Sequence, residues 1–249
     1  FFASQTQFEK NHIIAAFRFE LTRVQTQAIR ERVVSMLANI DDELATGVAH
    51  GLGFEVPAPQ PKALEVAPDP EVQVSPALSL FARPGDGSVK ARKVAILVAP
   101  GMHGASARAL HAAVTAAGAV PRFVGLRLGK VDTSDGPIHA EISLEAGPSV
   151  LYDAVVFPDG DDAVDALLAD ACVLDFAKEQ YRHCKTILAL GAGVSILEEA
   201  GISATLPTGE DDPGVLMVPA KESAHAAPRF LKALARHRHF ERETDPPAV

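Results

Sequence analysis

The sequence predicts an α/β fold with a doubly wound parallel sheet, and three observations support this prediction. Residues 91–249 alternate short apolar runs with segments of helical periodicity, the pattern of repeated strand–helix–strand units. Residues 93–99 read as a continuous apolar run, which is typical of a strand buried on both faces of a sheet. Residues 55–90 hold seven of the eighteen prolines and separate the α/β region from a helical segment before it.

The first region, residues 1–54, predicts two amphipathic helices. Apolar residues recur at helical spacing in two stretches, the second over 28–50. Thr26 is expected to cap the second helix, and Gly51 and Gly53 are expected to end it. Because two such helices bury little by themselves, this region is predicted to pack against another body.

The second region, residues 55–90, is predicted to be a long Pro-rich extended connector. Proline at this density resists both helix and central strand. One stretch within it, 74–81, is apolar enough to dock on a surface. Since a structureless loop of this length is unusual inside a compact domain, the connector predicts a domain boundary.

The third region, residues 91–249, is predicted to be a flavodoxin-like domain, because its β–α order implies parallel strands with helices on both faces. Strands are expected over 93–99, 120–124, 153–157, 186–190 and 215–218. Helices are expected over 104–117, 161–170, 172–183 and 222–239. Residues 138–145 alternate apolar and polar side chains and are expected to form an inserted hairpin arm.

Composition limits the classes of partner and the compartment. The net charge of −9 gives no electrostatic basis for binding nucleic acid or an anionic membrane. The basic stretch 229–239 is expected to decorate the terminal helix rather than bind phosphate. No apolar run approaches the roughly 18 residues that span a bilayer. Cys172 and Cys184 fit neither a disulfide framework nor a zinc motif, so a cytoplasmic location is expected.

The start of the chain carries two further expectations. The first residues lack the basic and apolar pattern of a signal peptide, so none is expected. The sequence begins with Phe1 rather than an initiator Met, which suggests a piece of a longer protein.

The most informative motif is a strand, a tight turn and a helix over residues 186–201, which we call the elbow. This layout lifts a nucleophile above the sheet in many α/β enzymes. The residue at the tip is Gly191, which has no side chain to attack with. The sequence therefore predicts an enzyme-like scaffold without its nucleophile.

Three loops are expected to converge where the strands end, at the edge that binds ligands in doubly wound folds. Loop 100–104 could hold an anion at a helix N-terminus, with a plain turn as the favoured alternative. The acidic loop 158–162 could hold a hard cation, although it lacks a spaced set of ligands. The third loop is the elbow turn, 191–193.

The single reactive residues near these loops are expected to have structural rather than catalytic roles. His103 could act as a general base, yet no nucleophile stands beside it in the sequence. Ser106 and Ser195 are expected to cap or pack. Cys184 lies between basic residues that could lower its pKa, but it precedes a buried strand, at the end away from the ligand edge. The sequence offers no assembled catalytic triad.

Residues 92–201 resemble the class I glutamine amidotransferase-like superfamily, which includes intracellular cysteine peptidases and glyoxalase-type stress proteins. The resemblance, aligned on the Ala-Gly that ends the helix after the elbow, implies a Cys and a following His at the elbow and an acidic partner near position 106. This chain has Gly191, Ala192 and Ser106 at those places. The elbow is therefore expected to be vestigial, without amidotransferase or peptidase activity.

Nearly the whole chain resembles the C-terminal part of large-subunit (clade 2) haem catalases. The matching segments occur in the same order and lie at 9–21, 30–37, 74–80, 118–125 and 180–185. The resemblance implies that residues 1–54 are the terminal helices of the catalase core, that 55–90 cross its surface, and that 91–249 form the amidotransferase-like terminal domain.

The catalase resemblance also implies a function for the parent protein and a role for this part. The parent would disproportionate hydrogen peroxide to water and oxygen at a haem, whereas this part is expected to bind no haem and no metal. Neither Tyr152 nor Tyr181 has an Arg four residues before it, as the haem ligand of the family does. The implied partners are the catalase core and the other subunits of a homotetramer. The alternative is a chaperone-like surface that binds unfolded client proteins.

Overall fold

The computed structural model describes residues 1–64, 66 and 70–249. Part of the predicted connector, including Pro68, lies outside the described residues. The chain divides into two compact units, Phe1–Gly85 and Asp86–Val249.

The first unit contains three α-helices among its described residues, where the sequence predicts two. They are α1 (Gln7–Thr22), α2 (Gln27–Leu37) and α3 (Asp42–Leu52). The predicted second helix breaks after Leu37, because the Asp41 carboxylate caps α3 by accepting from the amides of Glu43 and Leu44. The helices enclose a small core around Val34 and Val48, both 0% exposed.

One predicted helix signal in this unit is wrong. Thr26 is the N-cap residue of α2, as predicted, although its side chain makes no capping bond. Gly51 lies inside α3, with its Cα facing the side chain of Arg18. Gly53 ends α3 in the left-handed region, with φ of 78°, where glycine is favoured.

The stretch 74–81 contacts the start of α1 through polar groups. The buried Glu9 carboxylate accepts from Leu80 N at 2.6 Å and from Ser79 Oγ at 2.8 Å. It also accepts from Thr6 N at 2.8 Å, which closes a capping box on α1. Burial raises the Glu9 pKa, but these hydrogen bonds outweigh it and leave the pKa lowered. Glu9 thus fastens residues 79–80 to the first helix.

Replacing Glu9 with alanine is expected to release the 79–80 backbone from α1. Hydrogen bonds to a charged acceptor are worth about 1.5–3 kcal/mol each, so the amide of Leu80 is expected to exchange with solvent about tenfold faster or more. Hydrogen exchange resolved at Leu80 measures this. Glu43→Ala is the control, because Glu43 pairs with Lys10 at the surface. Equal exchange at Leu80 in both variants would contradict the role of Glu9.

The second unit, which is described in full over 86–249, has the predicted α/β architecture. Its strands are β1 (Lys93–Val98), β2 (Val120–Gly125), β3 (Gly129–Val131), β4 (Ile138–Ala140), β5 (Ile142–Ser143), β6 (Ala154–Phe157), β7 (Thr186–Leu190) and β8 (Val215–Val218). Six of them form one parallel sheet in the order β5-β2-β1-β6-β7-β8. This arrangement confirms a doubly wound parallel sheet, consistent with a flavodoxin-like fold.

The helices of this unit follow the predicted positions, with one correction. They are α4 (Gly104–Ala116), α5 (Asp161–Leu168), α6 (Ala171–Arg182), α7 (Val194–Glu199) and α8 (Ala227–Ala235). The last helix is shorter than the predicted 222–239. Pro228 lies in its first turn and cannot continue a helix from before it, so a 3₁₀ segment, Ala220–His225, takes that place.

The predicted hairpin arm at 138–145 is only partly correct. Strand β4 pairs antiparallel with β3, so a hairpin exists, but it covers residues 129–140 rather than 138–145. Strand β5 instead joins the edge of the main sheet, parallel to β2. The loop between β3 and β4 folds over the carboxyl end of β1, where Asp132 O accepts from Gly101 N at 3.1 Å.

Candidate functional site

The elbow predicted from the sequence is present, with Gly191 at its tip. Strand β7 ends at Leu190, a 3₁₀ turn covers Gly191–Gly193, and α7 follows directly. Gly191 has φ of 48°, in the left-handed region that disfavours other residues. A Cβ on Gly193 would lie 2.6 Å from the carbonyl oxygen of Pro158, so this position also excludes a side chain.

The space beside Gly191 is filled by the carboxylate of Asp159, which follows strand β6. A Cβ placed on Gly191 would lie 1.9 Å from Asp159 Oδ1, far inside van der Waals contact. The same oxygen accepts a hydrogen bond from Ala192 N at 2.9 Å. Asp159 is 6% exposed. A side chain from the neighbouring strand end thus occupies the place where residue 191 would carry one.

Asp159 also holds the loop 100–104 through His103. The amide of His103 donates to Asp159 O at 2.9 Å, and His103 Nδ1 lies 3.9 Å from Asp159 Oδ2. The imidazole is exposed, with 61% of its side-chain surface open to solvent. The structure brings His103 next to a carboxylate, not next to a nucleophile.

The loop 100–104, predicted as a possible anion cradle, is covered by a second internal carboxylate. Asp135 Oδ2 accepts from Ala105 N at 2.7 Å, in the first turn of α4, and Arg108 pairs with Asp135 at 2.8 Å. Burial raises the pKa of Asp135, but hydrogen bonds from Arg108, Thr133 and Ala105 lower it by more, so its pKa is below the usual value and the carboxylate stays charged. The α4 N-terminus therefore carries a negative group that the protein itself supplies.

The acidic loop 158–162 spreads its carboxylates apart rather than gathering them. Asp159 points to the elbow, and Asp162 packs with its Cβ 2.6 Å from where a Cβ of Gly101 would stand. Among the described residues, no group of three or more His, Cys, Asp and Glu side chains could hold a metal ion.

The remaining candidates from the sequence lie apart from one another. Ser106 Oγ donates to His103 O at 2.9 Å within the first turn of α4, and Ser195 is exposed on α7. Cys184 is 1% exposed, and burial, together with the nearby Glu243 carboxylate, raises its pKa to about 12. A thiol with this pKa is protonated at neutral pH and is a poor nucleophile. Cys172 lies exposed at the start of α6.

Both tyrosines of the chain lie buried in the second unit. Tyr152 is 3% exposed inside the core, with its ring 5.9 Å from that of Phe176. Tyr181 is 6% exposed, and the Arg242 guanidinium lies 4.9 Å from its ring centroid. Both rings are therefore part of the packed interior of the second unit.

Sequence reasoning missed a buried polar group that we call the tail cluster: Thr186, Asp212, His239 and Arg242. Arg242 pairs with Asp212 through two contacts of 2.8 Å, and both side chains are almost fully buried. Arg242 Nη1 also donates to Lys185 O at 2.8 Å. His239 Nε2 lies 3.1 Å from Thr186 Oγ1. Through these contacts the cluster holds the segment that follows α8 against the start of β7.

The tail cluster corrects one prediction. The sequence predicts that the basic stretch 229–239 decorates a helix, but α8 ends at Ala235 and His239 is fully buried. Gly214 leaves room for the cluster, because a Cβ there would lie 2.3 Å from Arg242 Nη2. An Arg and an Asp 30 residues apart give no local pattern, so no sequence signal pointed to this pair.

No helix in the described part of the chain is long and apolar enough to cross a membrane.

Two family models match the chain. One, described as "C-terminal domain found in long catalases", covers residues 90–244. The other, described as "Catalase-related immune-responsive", covers residues 1–52. Together they match both ends of the described fold in the order that the catalase resemblance implies.

Curated relatives give the same result. The chain is 41% identical to "Catalase C" of Rhizobium meliloti, over 98% of this chain and 33% of the relative. It is 37% identical to "Catalase HPII" of Pseudomonas putida over 100% of this chain and 33% of the relative. It is 38% identical to "Catalase HPII" of Mycobacterium avium, over 98% and 35%. The chain thus spans about a third of the length of these relatives.

Proposed function

The chain belongs to the family of C-terminal domains found in long catalases, and from this premise we propose that it is a non-catalytic accessory part of a longer catalase. The longer protein would break hydrogen peroxide down to water and oxygen at a haem held by residues outside this chain. Residues 1–54 would be the terminal helices of the catalase core, 55–90 the connector, and 91–249 the accessory domain. The protein would be cytoplasmic.

The observation that carries this proposal is the closed ligand edge of the sheet. In doubly wound folds this edge binds the ligand, and its loops supply the reacting groups. Here Asp159 fills the elbow and Asp135 covers the N-terminus of α4. A vestigial elbow with Gly191, Ala192 and Ser106 at the former reactive places fits this closed edge. The accessory domain then acts through stability and contacts rather than through chemistry.

The first unit supplies the surface for those contacts. Large apolar side chains are exposed along its described residues: Phe1, Phe19, Ile29, Met36, Ile40, Val56, Leu64, Val66, Val72, Val74, Leu78, Leu80 and Phe81. In the fully described second unit, the exposed ones are Leu128, Val150 and Leu151. So many exposed apolar side chains in the first unit favour an interface surface there. We assign it to the rest of the catalase core and, through the core, to the homotetramer.

Leu80→Gln is expected to reduce the heat resistance of the full-length catalase without changing its turnover. Leu80 is 79% exposed in the first unit, and removing its apolar contact with the core would lower the inactivation midpoint by about 2–4 °C. Leu128→Gln is the matched control, because Leu128 is 67% exposed in the second unit. Residual oxygen evolution after heating measures both. Equal losses in the two variants would contradict the assignment of the surface.

The 249-residue chain itself is expected to bind no haem and to evolve no oxygen from peroxide. Its two tyrosines are packed as described above, so we expect a desalting column to separate added hemin from the protein, which elutes first and free of haem. The absorption spectrum measures this, with a full-length catalase as the positive control. A Soret band that scales with protein concentration would refute a non-catalytic role. The client-binding alternative gains no support from the comparisons, and we do not propose it.

A further inference from the structure

We propose that Asp159 supplies the side chain of the elbow in place of residue 191, so that a side chain at 191 and a carboxylate at 159 exclude each other. This inference goes beyond the accessory role, which would hold whether or not the two positions are coupled. It makes Asp159 a positioning residue that joins the three loops at the ligand edge.

The first support is steric. All three carboxyl atoms of Asp159 lie close to the place of a Cβ on Gly191, with Oδ1 at 1.9 Å, Cγ at 2.2 Å and Oδ2 at 2.7 Å. No small adjustment of a neighbour relieves an overlap of this size, because the carboxylate is 6% exposed and held by Ala192 N. A side chain at 191 must therefore expel the carboxylate.

The second support is the set of bonds that Asp159 makes to the other two loops. Its carboxylate accepts from Ala192 N in the elbow turn, and its carbonyl accepts from His103 N in the loop 100–104. The next residue, Gly160, passes so close to that loop that a Cβ would lie 2.8 Å from Gly101 O. Asp159 is therefore the point where the three loops meet.

The backbone of Gly191 adds a separate penalty that must be told apart from the overlap. Its φ of 48° is unfavourable for any residue with a Cβ. Gly209 has φ of 90°, and no atom lies within 4 Å of the place that a Cβ would take, so Gly209→Ala measures the backbone penalty alone. The excess effect of Gly191→Ala over Gly209→Ala reports the clash with Asp159.

A double-mutant cycle on the full chain tests the coupling. Gly191→Ala, Asp159→Ala and the pair are compared by denaturant unfolding. If the positions exclude each other, Gly191→Ala should lower the folding equilibrium constant about tenfold more in the natural background than in the Asp159→Ala background. Additive effects in the cycle would overturn the proposal, as would equal effects of Gly191→Ala and Gly209→Ala.

A thiol probe tests the same exclusion chemically, and it does not require equal stability of the variants. Cys172→Ser removes the exposed thiol, and Cys184 is buried. Gly191→Cys is then placed with and without Asp159→Ala and treated with a chromogenic disulfide reagent. The introduced thiolate attacks one sulfur of the reagent, a mixed disulfide forms, and the released coloured thiolate reports the reaction.

The reaction rate is expected to rise about tenfold when Asp159 is replaced by alanine. In the Asp159→Ala background the space that the carboxylate fills beside residue 191 is open, so the introduced thiol can adopt an orientation that the reagent reaches. Asp159→Asn keeps the shape and removes the charge, and it should leave the introduced thiol slow if the overlap is the cause. Equal rates with and without Asp159→Ala would refute the exclusion. Circular dichroism at the assay temperature checks that each compared variant is folded.

Discussion

Replacing Asp212 with alanine is expected to lower the free energy of unfolding by about 3–5 kcal/mol. The Asp212 side chain is 0% exposed and its partner Arg242 is 1% exposed, with Nε to Oδ2 at 2.8 Å. Removing one member of a buried ion pair leaves the other charge without compensation in a region that excludes water. The variant also loses the acceptor for Gly214 N, which Asp212 Oδ1 binds at 2.7 Å.

Denaturant unfolding of the full chain, followed by circular dichroism, measures the effect of Asp212→Ala. Glu241→Ala is the matched control, because Glu241 pairs with Arg236 where both side chains are more than a third exposed. An exposed pair of this kind is worth at most about 1 kcal/mol. Replacing both members, as Asp212→Leu with Arg242→Met, should be milder than Asp212→Ala alone. If Asp212→Ala and Glu241→Ala unfold alike, the tail cluster does not hold the fold together.

The elements buried on both faces of the sheet were the most predictable part of this molecule. The sequence predicts a strand over 186–190, and β7 occupies those residues; the same holds for β8 at 215–218. A continuous apolar run of this length has few alternatives once turn residues bound it. The prediction of one helix over 28–50 was wrong because the apolar periodicity continues through 38–41. Asp41 caps a new helix there, and the chain breaks into α2 and α3.

The site was predictable only where its parts are contiguous. The elbow is one local motif, and Gly191 stands at its tip as predicted. Asp159 lies well before it in the chain, at the end of β6, and reaches the elbow because β6 and β7 are neighbours in the sheet. A sequence records neither strand order nor the direction of a side chain at a strand end. The same reason hid the pairing of Asp212 with Arg242.

Lowering the pH from about 6.5 to about 4 is expected to remove about 3 kcal/mol of stability through His239 alone. Burial, with Arg242 and Arg236 nearby, lowers the pKa of His239 from 6.5 to about 4, although Asp212 and Glu241 act in the opposite direction. The unfolded chain therefore takes up a proton in this range while the folded chain does not. The stability that the neutral His239 contributes is fully present above pH 6.5 and is lost as the pH falls towards 4.

The pH window separates His239 from the carboxylates that also favour the folded state. Asp153 has its pKa lowered to about 2, because hydrogen bonds from His237 and Lys93 N outweigh the effect of burial, so its contribution is lost only below about pH 4. His111, whose pKa is also lowered by burial, titrates in the same direction as His239. The slope of stability against pH must therefore be compared between the natural chain and a variant.

His239→Gln is the variant that isolates this effect. Glutamine keeps a polar group near Thr186 Oγ1, which His239 Nε2 approaches at 3.1 Å, but it cannot be protonated. Its free energy of unfolding should fall less steeply than that of the natural chain between pH 6.5 and 4, by about 3 kcal/mol over the window. Parallel curves for His239→Gln and the natural chain would mean that water reaches His239 and that the tail cluster opens before the fold does.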